Sequence, residues 1–188
     1  GSKALAAVGA SSSVQFLILG FCMGICQGFA IMVSQSFGAK RLDEMHTYIY
    51  AGAVWTAITA FVVSILVVVF CADILHILQV NDEIFKDAYA YLVVIFAGIP
   101  FTLLYNYLSA ILRAIGDSKT PFFFLAFSAV LNIGLDFFCI LVLKWGCAGA
   151  AIATIFAQAV CGILCLLLIA FKVNVLHVPK SSRYMDKK

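Results

Sequence analysis

The sequence predicts an all-α membrane protein, a bundle of five transmembrane helices, and three observations carry that prediction. Of its 188 residues, 64% are hydrophobic and 11% charged, where soluble domains average about 45–50% and about 25%. Too few charges remain to clothe a water-soluble surface. The apolar residues fall into five runs, each near the roughly 20 residues needed to cross about 30 Å of hydrocarbon. The links between runs are too short for a soluble domain and set successive helices antiparallel. The runs lack the strict alternation of barrel strands, and they are too long and too many for a signal peptide.

The first run spans residues 13–37 and carries a double GxxxG of Gly20, Gly24 and Gly28, a stripe that lets helices approach closely. The second spans 48–72. The third, 89–112, contains Pro100, which kinks a helix and frees a carbonyl. Before the fourth, 122–143, the stretch Gly116-Asp-Ser-Lys-Thr-Pro121 breaks and restarts helices. It lacks the glycine spacing and preceding strand of a phosphate loop. The fifth, 148–171, has its own small-residue stripe of Ala153, Ala157, Cys161 and Cys165. A polar, basic tail occupies 172–188.

Lys and Arg orient the bundle, because cytoplasmic loops carry the excess of them. Lys40, Arg41, Arg113, Lys119 and the five basic residues from Lys172 onward lie on one side; Lys3, Lys86 and Lys144 lie on the other. The chain is therefore expected to start outside the cell membrane and end in the cytoplasm. The formal charge of +3 does not point to nucleic acid, since the basic residues sit at helix ends. The seven cysteines are odd in number and mostly inside apolar runs, where cysteine serves as a small hydrophobe. The runs contain no histidine to complete a transition-metal site. A membrane-embedded enzyme would need a nucleophile–base pair or metal ligands at depth, and none is offered, so no enzymatic role and no cofactor is expected.

One acidic residue of nine, Asp136, lies well inside a run. A carboxylate there costs about 2.5–3.5 kcal/mol on insertion scales. Asn132 and Asp136 are four apart and share a helix face, as do Thr154 and Gln158 on the next run. With Leu143 and Ala148 at the outer edge, Asp136 and Thr154 are expected roughly 10 and 9 Å deep. By the same rise Asn132 and Gln158 are expected roughly 16 and 15 Å deep. The two pairs thus come out level, and four oxygen-bearing side chains can converge. Such a cluster suits a hard monovalent cation, which takes carboxylate, amide, hydroxyl and carbonyl oxygens, or a proton on Asp136. A hydrogen-bonded, protonated Asp between helices is the plainer alternative. Asn106, nearer the inner edge in a polar patch with Tyr105, Tyr107 and Ser109, is a further candidate. Gln27 could line a cavity or bond a neighbouring helix.

Four stretches together resemble the multidrug and toxic compound extrusion (MATE) transporters. Gly1-Ser-Lys-Ala-Leu-Ala-Ala-Val-Gly9 is similar to that family's loop between helices one and two. Val33-Ser-Gln-Ser-Phe-Gly-Ala-Lys40 resembles the end of helix two. Arg113-Ala-Ile-Gly-Asp-Ser-Lys-Thr-Pro121 resembles the junction of helices four and five. Asn132 to Asp136, with Gly146-Cys-Ala-Gly-Ala-Ala-Ile-Ala-Thr154 and Gln158, resembles helices five and six. The pattern is nearest to bacterial DinF-like and NorM-like exporters. The resemblance implies a twelve-helix fold in two six-helix lobes, with this chain as helices two to six of an incomplete N-terminal lobe. It also implies an ion or proton site at Asp136, Asn132, Thr154 and Asn106. The coupling ion would be sodium or a proton. The partners would be the lipid bilayer, an organic cationic small molecule, and helix one and the C-terminal lobe of the same protein. An Asp that the family uses on helix one has no counterpart here. Two other readings stand beside the drug antiporter. A lipid-linked oligosaccharide flippase or polysaccharide exporter would favour a cavity with several Arg or Lys. A non-transporting structural membrane protein would make no use of the polar cluster.

Overall fold

The structure, a computed structural model, describes residues 2–78, 80–173 and 176. The helices are α1 (Ser2–Gly38), α2 (Leu42–Val69), α3 (Cys71–Ile77), α4 (Asp82–Ala97), α5 (Ile99–Ala114), α6 (Lys119–Phe137) and α7 (Gly146–Lys172). A π-helical turn, Phe138–Val142, continues α6. Four of these, α1, α2, α6 and α7, are each long and apolar enough to cross a membrane, and α4 with α5 makes a fifth span bent by 47°. The five-helix expectation holds, and the described residues contain no strand. Large apolar side chains stand fully outward, among them Phe16 at 83% and Val130 at 71% exposure. Such a surface asks for hydrocarbon as its solvent.

The boundaries differ from the expected ones where local chemistry is strong. Helix α1 reaches back to Ser2, because Lys3-Ala-Leu-Ala-Ala7 is a run of strong helix formers with no proline to stop it. The second span ends at Val69, and a separate short helix, α3, follows. Helix α4 begins at Asp82, where the Asn81 side chain caps it by accepting from the Glu83 amide. Of the basic tail, only Lys172, Val173 and Leu176 lie within the described residues.

The bent span is the centre of the bundle. Helix α5 packs on α1, α2 and α7, and α4 on α7, α1 and α2. Helix α6 leans almost entirely on α7 and buries only Pro121 and Ser128 of its own residues. Tyr107 ties α5 to α2 by donating to the Ile49 carbonyl at 2.6 Å. Tyr105 ties it to α6 by donating to the Pro121 carbonyl at 3.2 Å.

The break between α4 and α5 follows from Gly98 and Pro100. Proline has no N–H for the carbonyl four residues earlier, that of Phe96. The Ser64 hydroxyl of α2 donates to it instead, at 2.6 Å. A buried acceptor left bare would cost about 1–3 kcal/mol.

Small residues are used for close packing, but not at every predicted stripe. Ala153, Ala157, Cys161 and Cys165 are all buried, and Gly162 beside them meets Leu104 of α5. The GxxxG stripe meets no partner among the described residues. Gly20, Gly24 and Gly28 are exposed, with open space where a side chain would stand. Helix α1 instead buries Cys22, Cys26, Ala30 and Val33, because those positions form the face turned to α2 and α5. A small stripe permits close approach and does not by itself supply a partner.

The α5–α6 connection stops one helix and starts the next. Gly116 takes φ +92°, and the Asp117 amide bonds the Leu112 carbonyl at 3.0 Å, closing α5 with a left-handed cap. The Asp117 carboxylate then accepts from the Thr120 amide at 3.0 Å.

Candidate functional site

Helices α6 and α7 meet as an antiparallel hairpin, and its register decides which polar side chains touch. Asn132 Nδ2 donates to Thr154 Oγ1 at 3.2 Å, and the Thr154 hydroxyl donates to the Ala150 carbonyl at 3.0 Å. Further along, Cys161 Sγ reaches the Phe124 carbonyl at 3.5 Å. The pairing is therefore Asn132 with Thr154, not Asn132 with Gln158 as the depths suggested. The shift is about one turn. Its cause is the π-helical turn and the tight return after it: Trp145 N bonds the Cys139 carbonyl at 3.1 Å, and Gly149 packs on Cys139. Helix α7 thus doubles back alongside Cys139, further up α6 than an edge at Leu143 would allow.

In this register Asp136 stands one turn beyond the Asn132–Thr154 pair, toward the hairpin. Its Oδ1 is buried without a hydrogen-bond partner. The residue also borders a cavity of about 280 Å³ lined by Ile133, Phe137, Ile140 and Leu141. An ionised oxygen cannot remain bare in hydrocarbon, so this atom calls for a proton or a cation. The donor set around it fits either: a carboxylate, an amide and a hydroxyl. Because the N–H of Asn132 is given to Thr154, its carbonyl oxygen remains available to another partner.

Two polar residues that the sequence reading missed pair across α4 and α1. The Tyr91 hydroxyl of α4 donates to Gln15 Oε1 of α1 at 3.4 Å. A Tyr two residues into a span expected to begin at Tyr89 reads as an interfacial aromatic. The true start at Asp82 puts it roughly 13 Å along the helix. The signal available was depth, once Asn81 is recognised as a cap.

The remaining candidates are placed apart. Asn106 donates to the Thr102 carbonyl of its own helix at 2.8 Å. No hydrogen bond among the described residues joins it to Asp136, Asn132 or Thr154, since it rides on α5, which barely touches α6. Gln158 has a buried Oε1 with no partner, one turn from Thr154 on the side away from Asp136. Gln27 lines a cavity of about 290 Å³ between α1 and α5, with Ser34, Gln35 and Arg113.

Comparison with known proteins adds an independent finding. The MatE family model matches residues 1–138. The probable multidrug resistance protein YpnP of Bacillus subtilis is 36% identical over 162 residues, 85% of this chain and 36% of that protein. The probable multidrug resistance protein YoeA of the same organism is 29% identical, over 100% of this chain and 42% of its own length. Among solved structures, the inward-facing conformation of a multidrug resistance MATE family transporter of the MOP superfamily superposes with a TM-score of 0.92. Its identity is 22%, over 98% of this chain and 42% of that one. The chain thus spans about two fifths of the length of the proteins it matches.

Proposed function

The chain belongs to the MatE family, and from that premise we propose that the whole protein exports organic, cationic small molecules in exchange for sodium ions or protons. The bundle is a multi-pass membrane unit, the excess of Lys and Arg at one set of helix ends favours placing those ends in the cytoplasm, and an export role calls for the plasma membrane. One observation carries the coupling role: Asp136 holds a buried oxygen with no hydrogen-bond partner among the described residues, one turn from the Asn132–Thr154 hydrogen bond.

A proton or cation arriving at Asp136 removes the cost of that bare oxygen. Loading can drive export only if the loaded site is more stable in one conformation than in the other. Asn132 and Thr154 supply neutral oxygens that are fixed to each other across the hairpin, so the site is held by two helices. Moving α6 against α7 would separate these groups, which gives the ion a stake in one arrangement. Asn106, Gln158 and Gln27 belong on this reading to the surroundings of the transport path.

The test is Asp136→Asn in the whole transporter, assayed in inverted vesicles with an imposed sodium or proton gradient. The variant should insert normally and lose ion-driven export. Export at the parent rate would overturn the role, and the gradient that drives the parent identifies the ion.

A further inference from the structure

Ser64 sits in the apolar run Val62-Val-Ser-Ile-Leu66 of α2, 7% exposed, where a hydroxyl must find a protein partner. Its partner is the Phe96 carbonyl at 2.6 Å, the acceptor that Pro100 cannot serve. Two residues further on, at Gly98, a methyl group would run into the side chain of Ile155. The bend is thus held from two sides, by a hydrogen bond from α2 and by the packing of α7 into the place of an absent side chain.

The α7 side leads to the candidate site, and the α4 side to the Tyr91–Gln15 pair. Ile155 directly follows Thr154. Tyr91 stands on the α4 arm seven residues before Gly98, a lever of roughly 10 Å. A change of about 10° in the bend would move its ring by roughly 2 Å. That exceeds the range over which its hydrogen bond to Gln15 survives.

We propose that Ser64 is a positioning residue for the Asp136 site. By capturing the Phe96 carbonyl, it sets the bend that seats Ile155, the neighbour of Thr154, against Gly98. Ser64 touches neither ion nor drug and acts through the backbone of the broken span. This inference rests on the reading of Asp136 as the coupling site. A hydroxyl with only a structural role would change how much transporter reaches the membrane and leave the ion dependence of export in place.

The experiment measures export in vesicles against sodium or proton concentration, together with the membrane level of each variant. Ser64→Ala should raise the half-saturating ion concentration about ten-fold, as loss of a supporting partner does at metal sites. Ser64→Thr, which keeps the donor, should restore the parent value. Gly98→Ala should shift the same way, and adding Ile155→Ala to it should reverse the shift. Unchanged ion dependence in Ser64→Ala overturns the proposal, even if its maximal rate or membrane level falls. Should Ser64→Ala fail to reach the membrane, the Gly98 series decides, and failure of Ile155→Ala to rescue Gly98→Ala overturns it. Asp136→Asn is run alongside. If that variant keeps ion-driven export, the site reading falls and this inference with it. If it loses export while Ser64→Ala matches the parent, only the role of Ser64 falls.

Discussion

Thr154 shows how much one hydroxyl can be asked to do. It accepts from Asn132 and donates to Ala150, so its proton and one lone pair are used within the hairpin and the second lone pair is left for an ion. Thr154→Val keeps the shape and removes both bonds, leaving an amide N–H at depth with no acceptor. A lost bond of this kind is worth about 1–3 kcal/mol, and the half-saturating ion concentration should rise about ten-fold or more. Thr154→Ser should stay near the parent. Ion titrations of export in vesicles separate the two, and a Val variant with the parent titration would remove Thr154 from the site. Asp136 was legible because a carboxylate among apolar neighbours is conspicuous. Ser64 was not, because a single serine in such a run is unremarkable until the fold sets it against the carbonyl that Pro100 leaves bare.

At the scale of elements, the start of α6 offers a prediction outside the membrane. Asp117 is held below the ordinary carboxylate range, chiefly by Thr120, whose hydroxyl and backbone N–H both face it, with Lys119 adding its charge. A depressed value means that the ionised form is favoured by folding. Its contribution is present above the ordinary carboxylate range and is lost as the pH falls through the lower folded value. Asp117→Ala should cost about 1 kcal/mol at neutral pH, as the loss of a cap does. The gap between parent and variant should close below about pH 4. Thermal unfolding in detergent at both pH values checks this, and a gap independent of pH would show that the carboxylate charge has no part. Element ends were harder to read than element existence. The run beginning near Tyr89 hid a helix starting at Asp82, and that offset concealed Tyr91.

At the scale of the molecule, the proposed orientation can be tested directly. With the basic ends in the cytoplasm, a cysteine replacing Lys144 should react with a membrane-impermeant maleimide on intact cells. One replacing Lys40 should react only after permeabilisation. The reverse pattern would invert the bundle and put the Asp136 end of the hairpin on the cytoplasmic side. The labelling is done with Cys147 replaced by serine, because it is only partly buried and lies three residues from Lys144, whereas Cys22, Cys26, Cys71, Cys139, Cys161 and Cys165 are buried.

The sequence alone determined that the chain is a membrane bundle, how many spans it has, and which acidic residue lies in the wrong solvent. Hydrocarbon imposes those features one segment at a time, through length and polarity, so no knowledge of neighbours is required. Only the tertiary structure decided that Asn132 meets Thr154, that Tyr91 meets Gln15, and that Ser64 completes the broken span. These are relations between helices. They depend on the turn at Phe138–Val142 and the bend at Gly98, where a shift of one helical turn exchanges every partner across the interface.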